Sequence, residues 1–121
     1  MSSFPTLPQR FERPRAGAVD VLILAGEHSG DQHAAIIVKE LLKQNPYLKI
    51  AAFGGPSLRA AGAQLLFDMT GFSAVGIVEV LAAYPFYKKL FSRMVDWTKE
   101  WKPRLVILVD YPGLNLRFAD Q

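Results

Sequence analysis

The chain has 121 residues, 50% of them hydrophobic and 21% charged, with no cysteine and a formal net charge of +3. That length suits one domain with a real core rather than two ordinary ones. No apolar run approaches the ~18 residues of a membrane-spanning helix, and without cysteine there are no disulfides or thiolate-held metals, which fits a reducing compartment. Two of the three excess positive charges fall in residues 1–18, where Arg10, Arg13 and Arg15 are opposed only by Glu12; the remainder is too nearly neutral to point to a nucleic-acid partner.

Residues 1–18 carry Pro5, Pro8 and Pro14 and no apolar h-region, so they read as a flexible leader, neither a secretory signal nor an amphipathic transit helix. An apolar run over about 19–25 predicts the first strand, and Gly26-Glu27-His28-Ser29-Gly30-Asp31 breaks it. A helix is expected from about Gly30 to Lys43, with Ala34, Ile37, Val38, Leu41 and Leu42 on one face and Lys39 and Lys43 on the other, ended by Asn45-Pro46. Leu48 to Phe53 predicts a second strand, Gly54-Gly55-Pro56 a sharp turn, Pro56 to Ala61 a short helix stopped by Gly62, and Gln64 to Phe67 a third strand. A helix starting near Gly76 or Ile77 is expected to be interrupted at Pro85. A second then runs to Trp101, with Leu90, Met94, Trp97 and Trp101 facing the core. Arg104 to Val109 predicts a fourth strand, and Leu114 to Gln121 the opening of a further helix. Strands alternating with helices imply an α/β domain on a parallel sheet with right-handed crossovers. There is no repeat and no low-complexity tract, and a doubly wound sheet is expected to continue past Gln121.

In such sheets ligands gather outside the carboxyl ends of the strands. Two loops there carry chemistry: Gly26 to Asp31, and Asp110-Tyr111-Pro112-Gly113-Leu114-Asn115, expected to open on the same edge. In the first, the glycines allow close backbone approach and the helix start offers free N–H groups, while Ser29 or Asp31 either touches a ligand or caps the helix. The spacing is not that of the Gly-x-Ser-x-Gly nucleophile elbow, the Gly-x-Gly-x-x-Gly dinucleotide fingerprint or a Walker loop. His28 and His33, five apart, do not have helical metal-pair spacing, and no metal is expected. Asp110 ends an apolar strand; there a carboxylate either caps the next helix or faces ligand, and partial burial suits it to act as a general base. Ile77 to Tyr87 holds more apolar and aromatic side chains than one short helix face uses, followed at once by Lys88, Lys89 and Arg93. That pattern fits either core packing or a patch for an anionic membrane surface.

Ala25-Gly26-Glu27-His28-Ser29-Gly30-Asp31, Gly54-Gly55-Pro56, Phe72 to Leu81 with its Gly76-Ile77-Val78-Glu79 centre, and Val109-Asp110-Tyr111-Pro112-Gly113-Leu114-Asn115-Leu116-Arg117 occur in this order. Together they resemble the N-terminal part of the lipid-A-disaccharide synthase family, over about residues 19–121. The resemblance implies a Rossmann-like parallel sheet with helices on both faces, the N-terminal half of a GT-B glycosyltransferase built from two Rossmann domains. It implies an inverting transfer of 2,3-diacylglucosamine from UDP to the 6-hydroxyl of 2,3-diacylglucosamine 1-phosphate, forming a β-1,6 linkage in lipid A biosynthesis of Gram-negative bacteria.

By the same resemblance, residues 19–121 form the acceptor-binding domain, incomplete and lacking the C-terminal nucleotide-sugar domain, and inactive alone. Asp110 is its candidate base, and Gly26, Glu27, Ser29, Gly30, Asp31 and Asn115 line the acceptor side. Val78, Val80, Leu81, Tyr84, Phe86, Lys88 and Lys89 map to the patch facing the inner membrane, which implies a cytoplasmic enzyme peripheral on that membrane's inner face. No cofactor is implied. Some family members carry a second acid three residues after the strand-end aspartate, where this chain has Gly113. The alternative from the residues alone is a non-catalytic α/β module that binds a nucleotide or small phosphate at the first loop.

Overall fold

The structure, a computed structural model, describes residues 7–8, 10–26, 28–70 and 77–109, the last segment with side chains from 85 onward. Four apolar runs form β1 (Val21–Ala25), β2 (Ile50–Gly54), β3 (Gln64–Asp68) and β4 (Leu105–Val109). The helices are α1 (His28–Gln44), α2 (Pro56–Ala61) and α3 (Ile77–Trp101). The sheet is parallel throughout, in the order β3-β2-β1-β4. Element bounds lie within two residues of the sequence reading, and those of α2 coincide with it, since proline begins the helix and Gly62, at φ 116°, ends it. There Gly62 N–H donates to Arg59 O and Ala63 N–H to Leu58 O, the pattern of a left-handed helix stop.

The period-two alternation of each strand sorts side chains into two cores. Val21, Ile23, Ala25, Ile50 and Ala52 meet Ala34, Val38 and Leu58 from α1 and α2 on one face. Leu22, Leu24, Ala51 and Phe53 meet Leu90, Met94, Val95 and Trp97 from α3 on the other. Helices therefore cover both faces, the α/β Rossmann-like arrangement expected. Between Ala52 and Phe53 the β2–β3 register slips by a residue, a bulge on β3 at Leu66.

Four features differ from the sequence reading. First, the described part of the supposed leader is packed rather than flexible. Phe11 is buried in the core against Phe53, ring centroids 4.8 Å apart and nearly perpendicular. Glu12 O accepts from Trp97 Nε1 at 3.1 Å, and Arg93 donates to the carbonyls of Leu7 and Pro8. The buried amide of Gln64 is satisfied wholly by this segment: Oε1 accepts Arg15 N–H at 2.8 Å, and Nε2 donates to Glu12 Oε1 at 2.9 Å and Arg13 O at 2.8 Å. Proline removes donors and fixes φ, but it does not prevent an extended segment from docking one large aromatic.

Second, α3 continues through Pro85. Proline inside a helix costs about 3 kcal/mol; burial of Leu90, Met94 and Trp97 offsets that loss. Third, the buried stripe of α1 is Asp31, Ala34, Ala35 and Val38, while Ile37 is 37% exposed and Ile36 66%. Fourth, β4 is only half-buried, with Leu105 exposed, because it lies at an edge of the described sheet. The expected helix over Leu114 to Gln121 lies outside the described residues.

Phe11→Ala is expected to lower unfolding free energy by about 3 kcal/mol, the lower end for a buried phenylalanine, whereas Arg10→Ala changes it by less than about 0.5 kcal/mol. Urea denaturation of both variants checks this; a Phe11→Ala midpoint equal to wild type contradicts the packed segment.

Candidate functional site

The chain fills the sheet outward from β1 to β2 and β3, then returns through α3 to place β4 on the other side of β1. The winding reverses between β1 and β4, and this is the position at which open α/β sheets form a crevice beyond their strand ends. The two strands stay in register over their whole length, from Val21 opposite Leu105 to Ala25 opposite Val109. The two loops singled out in the sequence therefore depart from neighbouring, parallel strand ends. Gly26, half-buried, and the exposed His28 and Ser29 begin the first loop and α1. Glu27 lies outside the described residues, as do Asp110 and Asn115.

Gly30 and Asp31 occupy a different environment from Ser29. Both are buried, and Asp31 is only 1% exposed. Its carboxylate accepts three backbone N–H groups from the next loop: Gly55 at 3.0 Å and Leu58 at 3.0 Å on Oδ1, and Ser57 at 2.9 Å on Oδ2. The cause lies at the start of α2. Its N-cap is Gly55, which has no side chain to accept the free donors of the first turn. Asp31 supplies that acceptor from another helix, reaching the groups an N-cap side chain normally takes. The arrangement is neither of the alternatives read from the sequence, a ligand contact or a cap on the residue's own helix. A signal was present: Asp31 stands three, four and seven residues before Ala34, Ala35 and Val38, and so belongs to the inward stripe of α1.

Gly55 is needed for close approach rather than for an unusual backbone angle. A Cβ there would lie 2.6 Å from Asp31 Oδ2 and 2.8 Å from Thr70 Cγ2. Neither neighbour is free to retreat: Asp31 is held as described, and Thr70 is fixed by Asp68, whose Oδ1 accepts Thr70 N–H at 2.8 Å and its hydroxyl at 2.7 Å. Met69 N–H donates to Gly54 O at 2.6 Å, so the ends of β2 and β3 are also joined. Gln64, on the opposite edge of the sheet, and this inter-loop link through Asp31 are buried polar features that the sequence reading did not anticipate.

Of the expected membrane-facing residues, Phe86 is half-buried and packs partly against the core, with Tyr87 at 5.8 Å in an edge-to-face contact. Lys88 and Lys89 are exposed. Val78, Val80, Leu81 and Tyr84 fall within the span of α3, but their side chains lie outside the described residues. Among the described residues no helix is long and apolar enough to cross a membrane.

A parallel Rossmann-like sheet with a small-residue loop at its switch point defines an α/β protein of the class in which ligands gather beyond the carboxyl ends of the strands. Comparison with known proteins narrows the class. The model of the lipid-A-disaccharide synthetase family matches residues 21–121. Lipid-A-disaccharide synthase 1 of Legionella pneumophila (strain Paris) is 46% identical over 99 residues, covering 82% of this chain and 26% of that protein. The lipid-A-disaccharide synthases of Nitrosococcus oceani and Myxococcus xanthus are 44% and 42% identical over the same share of each chain. The chain belongs to the lipid-A-disaccharide synthetase family, a family of glycosyltransferases of lipid A biosynthesis. It spans about a quarter of the length of these relatives.

Gly55→Ala is expected to lower stability by about 1–3 kcal/mol, the usual cost of overpacking, and Asp31→Ala by at least as much, because three donors lose their acceptor. Thermal unfolding checks both; a Gly55→Ala variant as stable as wild type would show that the carboxylate is not held in place.

Proposed function

We propose that this chain supplies the acceptor side of a lipid-A-disaccharide synthase. In this reading a 2,3-diacylglucosamine 1-phosphate molecule lies across the carboxyl ends of β1 and β4, with its acyl chains toward the inner membrane. The pairing of Ala25 with Val109 carries the proposal, because it brings the starts of the Gly26 loop and the Asp110 loop to one edge at the switch point. Asp110 takes the proton of the acceptor 6-hydroxyl. The freed oxygen pair forms the bond to the donor's anomeric carbon, and the bond to the diphosphate breaks with its electrons leaving on UDP. Attack opposite the leaving group turns the α-linked donor into a β-1,6 product. Gly26, Glu27 and Ser29 form the acceptor wall together with Asn115, while Gly30 and Asp31 support it from beneath.

In this reading the nucleotide-sugar side is supplied by a part of the longer relatives outside the matched residues, and these 121 residues bind acceptor without turning it over; the relatives' greater length is compatible with it. The exposed Lys88 and Lys89, next to the apolar run of α3, support a peripheral site on the inner face of the inner membrane.

Two measurements test the proposal. The chain should bind micelles of 2,3-diacylglucosamine 1-phosphate and show little affinity for free UDP; UDP binding without micelle binding would instead support a nucleotide-binding module. In an active full-length enzyme carrying this sequence, Asp110→Ala should lower kcat by at least about 100-fold, as removal of a general base does, with vesicle binding retained. Unchanged turnover removes Asp110 from the role of base.

A further inference from the structure

We propose that Asp31 is a positioning residue for the acceptor wall, fastening the first turn of α1 to the loop after β2 so that the two hold one geometry. The proposal rests on the acceptor reading of the carboxyl edge. At 1% exposure, with three backbone N–H groups on its two oxygens, the Asp31 carboxylate has no surface with which to meet a sugar. It lies in the first turn of α1, two residues beyond the exposed Ser29, and so fixes where that turn begins. The loop to which it is tied is braced in turn. Gly54 O holds Met69 N–H, and Thr70, pinned by Asp68, packs against Gly55. Asp31 thus joins the first turn of α1 to a base formed by the ends of β2 and β3. Hydrogen bonds to a sugar need donors placed to within about half an ångström, and Ser29 can be held that closely only if the turn beneath it does not shift.

The prediction separates positioning from contact. Asp31→Asn keeps the side-chain volume but turns one oxygen into a donor that faces backbone N–H groups. Gly55→Ala keeps the carboxylate and displaces it. A positioning role predicts that each variant binds 2,3-diacylglucosamine 1-phosphate micelles at least tenfold more weakly than wild type. It also predicts that the double variant is little worse than either single one, because both break one tie. Weak binding by Asp31→Asn beside wild-type binding by Gly55→Ala would overturn positioning in favour of direct contact. Wild-type binding by both would overturn it outright. Should either variant fail to fold, hydrogen exchange on the unaltered chain decides. Saturating micelles should slow exchange at the Gly55 and Leu58 amides at least threefold, and binding without that protection contradicts the proposal. If the unaltered chain does not bind the micelles at all, the acceptor reading fails and takes the positioning role with it.

Discussion

Strand β1 is hydrogen-bonded on both sides, to β2 on one edge and to β4 on the other, and the rest of the molecule depends on that double pairing. Its register is set at the amino end by one residue. Asp20 N–H donates to Lys49 O at 2.8 Å, its Oδ2 accepts Lys49 N–H at 2.9 Å, and its carbonyl accepts Leu105 N–H at 3.0 Å. A one-residue slip in a parallel pair would exchange the two faces of the strand, sending Leu22 and Leu24 toward α1 and Val21 and Ile23 toward α3. The two cores differ enough in volume to resist that exchange. Phe11, Phe53 and Trp97 fill one, with Phe53 and Trp97 centroids 6.0 Å apart, while alanines, Val38 and Leu58 line the other.

Held in that register, β1 ends beside β4, and the carboxyl edge inherits the consequences. Small residues follow β1 and β2 because two helix starts crowd the same space. The glycine at the head of α2 leaves room for a carboxylate from α1, and that carboxylate does the capping the glycine cannot do. The motif is thereby divided by depth. Ser29 remains exposed and available to a ligand, whereas Gly30 and Asp31 are committed to the scaffold. The chain belongs to the lipid-A-disaccharide synthetase family, and under the proposed function this edge is where the acceptor lies.

Much of the fold was legible in the sequence because β1, β2 and β4 are short apolar runs and Gly62 and Pro56 mark helix ends by simple steric rules. What escaped had non-local causes. Phe11 sits among prolines and charges, and nothing near it in the chain reveals that Phe53 and Trp97 leave a place for it. Pro85 is a local signal for a break that tertiary burial overrides. Ile37 fits the helical period, yet α1 turns Ala35 inward in its place, since the small residue lets α1 approach the sheet and α2 more closely. At the site, residue types were readable, and both loops were expected on one edge; that the strands preceding them, β1 and β4, are neighbours came only with the structure. The depth of each side chain was not readable, because it depends on a partner loop 24 to 27 residues away.

The central claim is that the acidic turns after β1 and β4 face each other across one rim. The chain contains no cysteine, so a Glu27→Cys/Asp110→Cys pair can be spin-labelled without background. Neighbouring strands lie about 4.8 Å apart, and a five-residue strand is about 17 Å long. The account predicts a label separation on the order of 10 Å by electron paramagnetic resonance, and a separation beyond about 20 Å would contradict it.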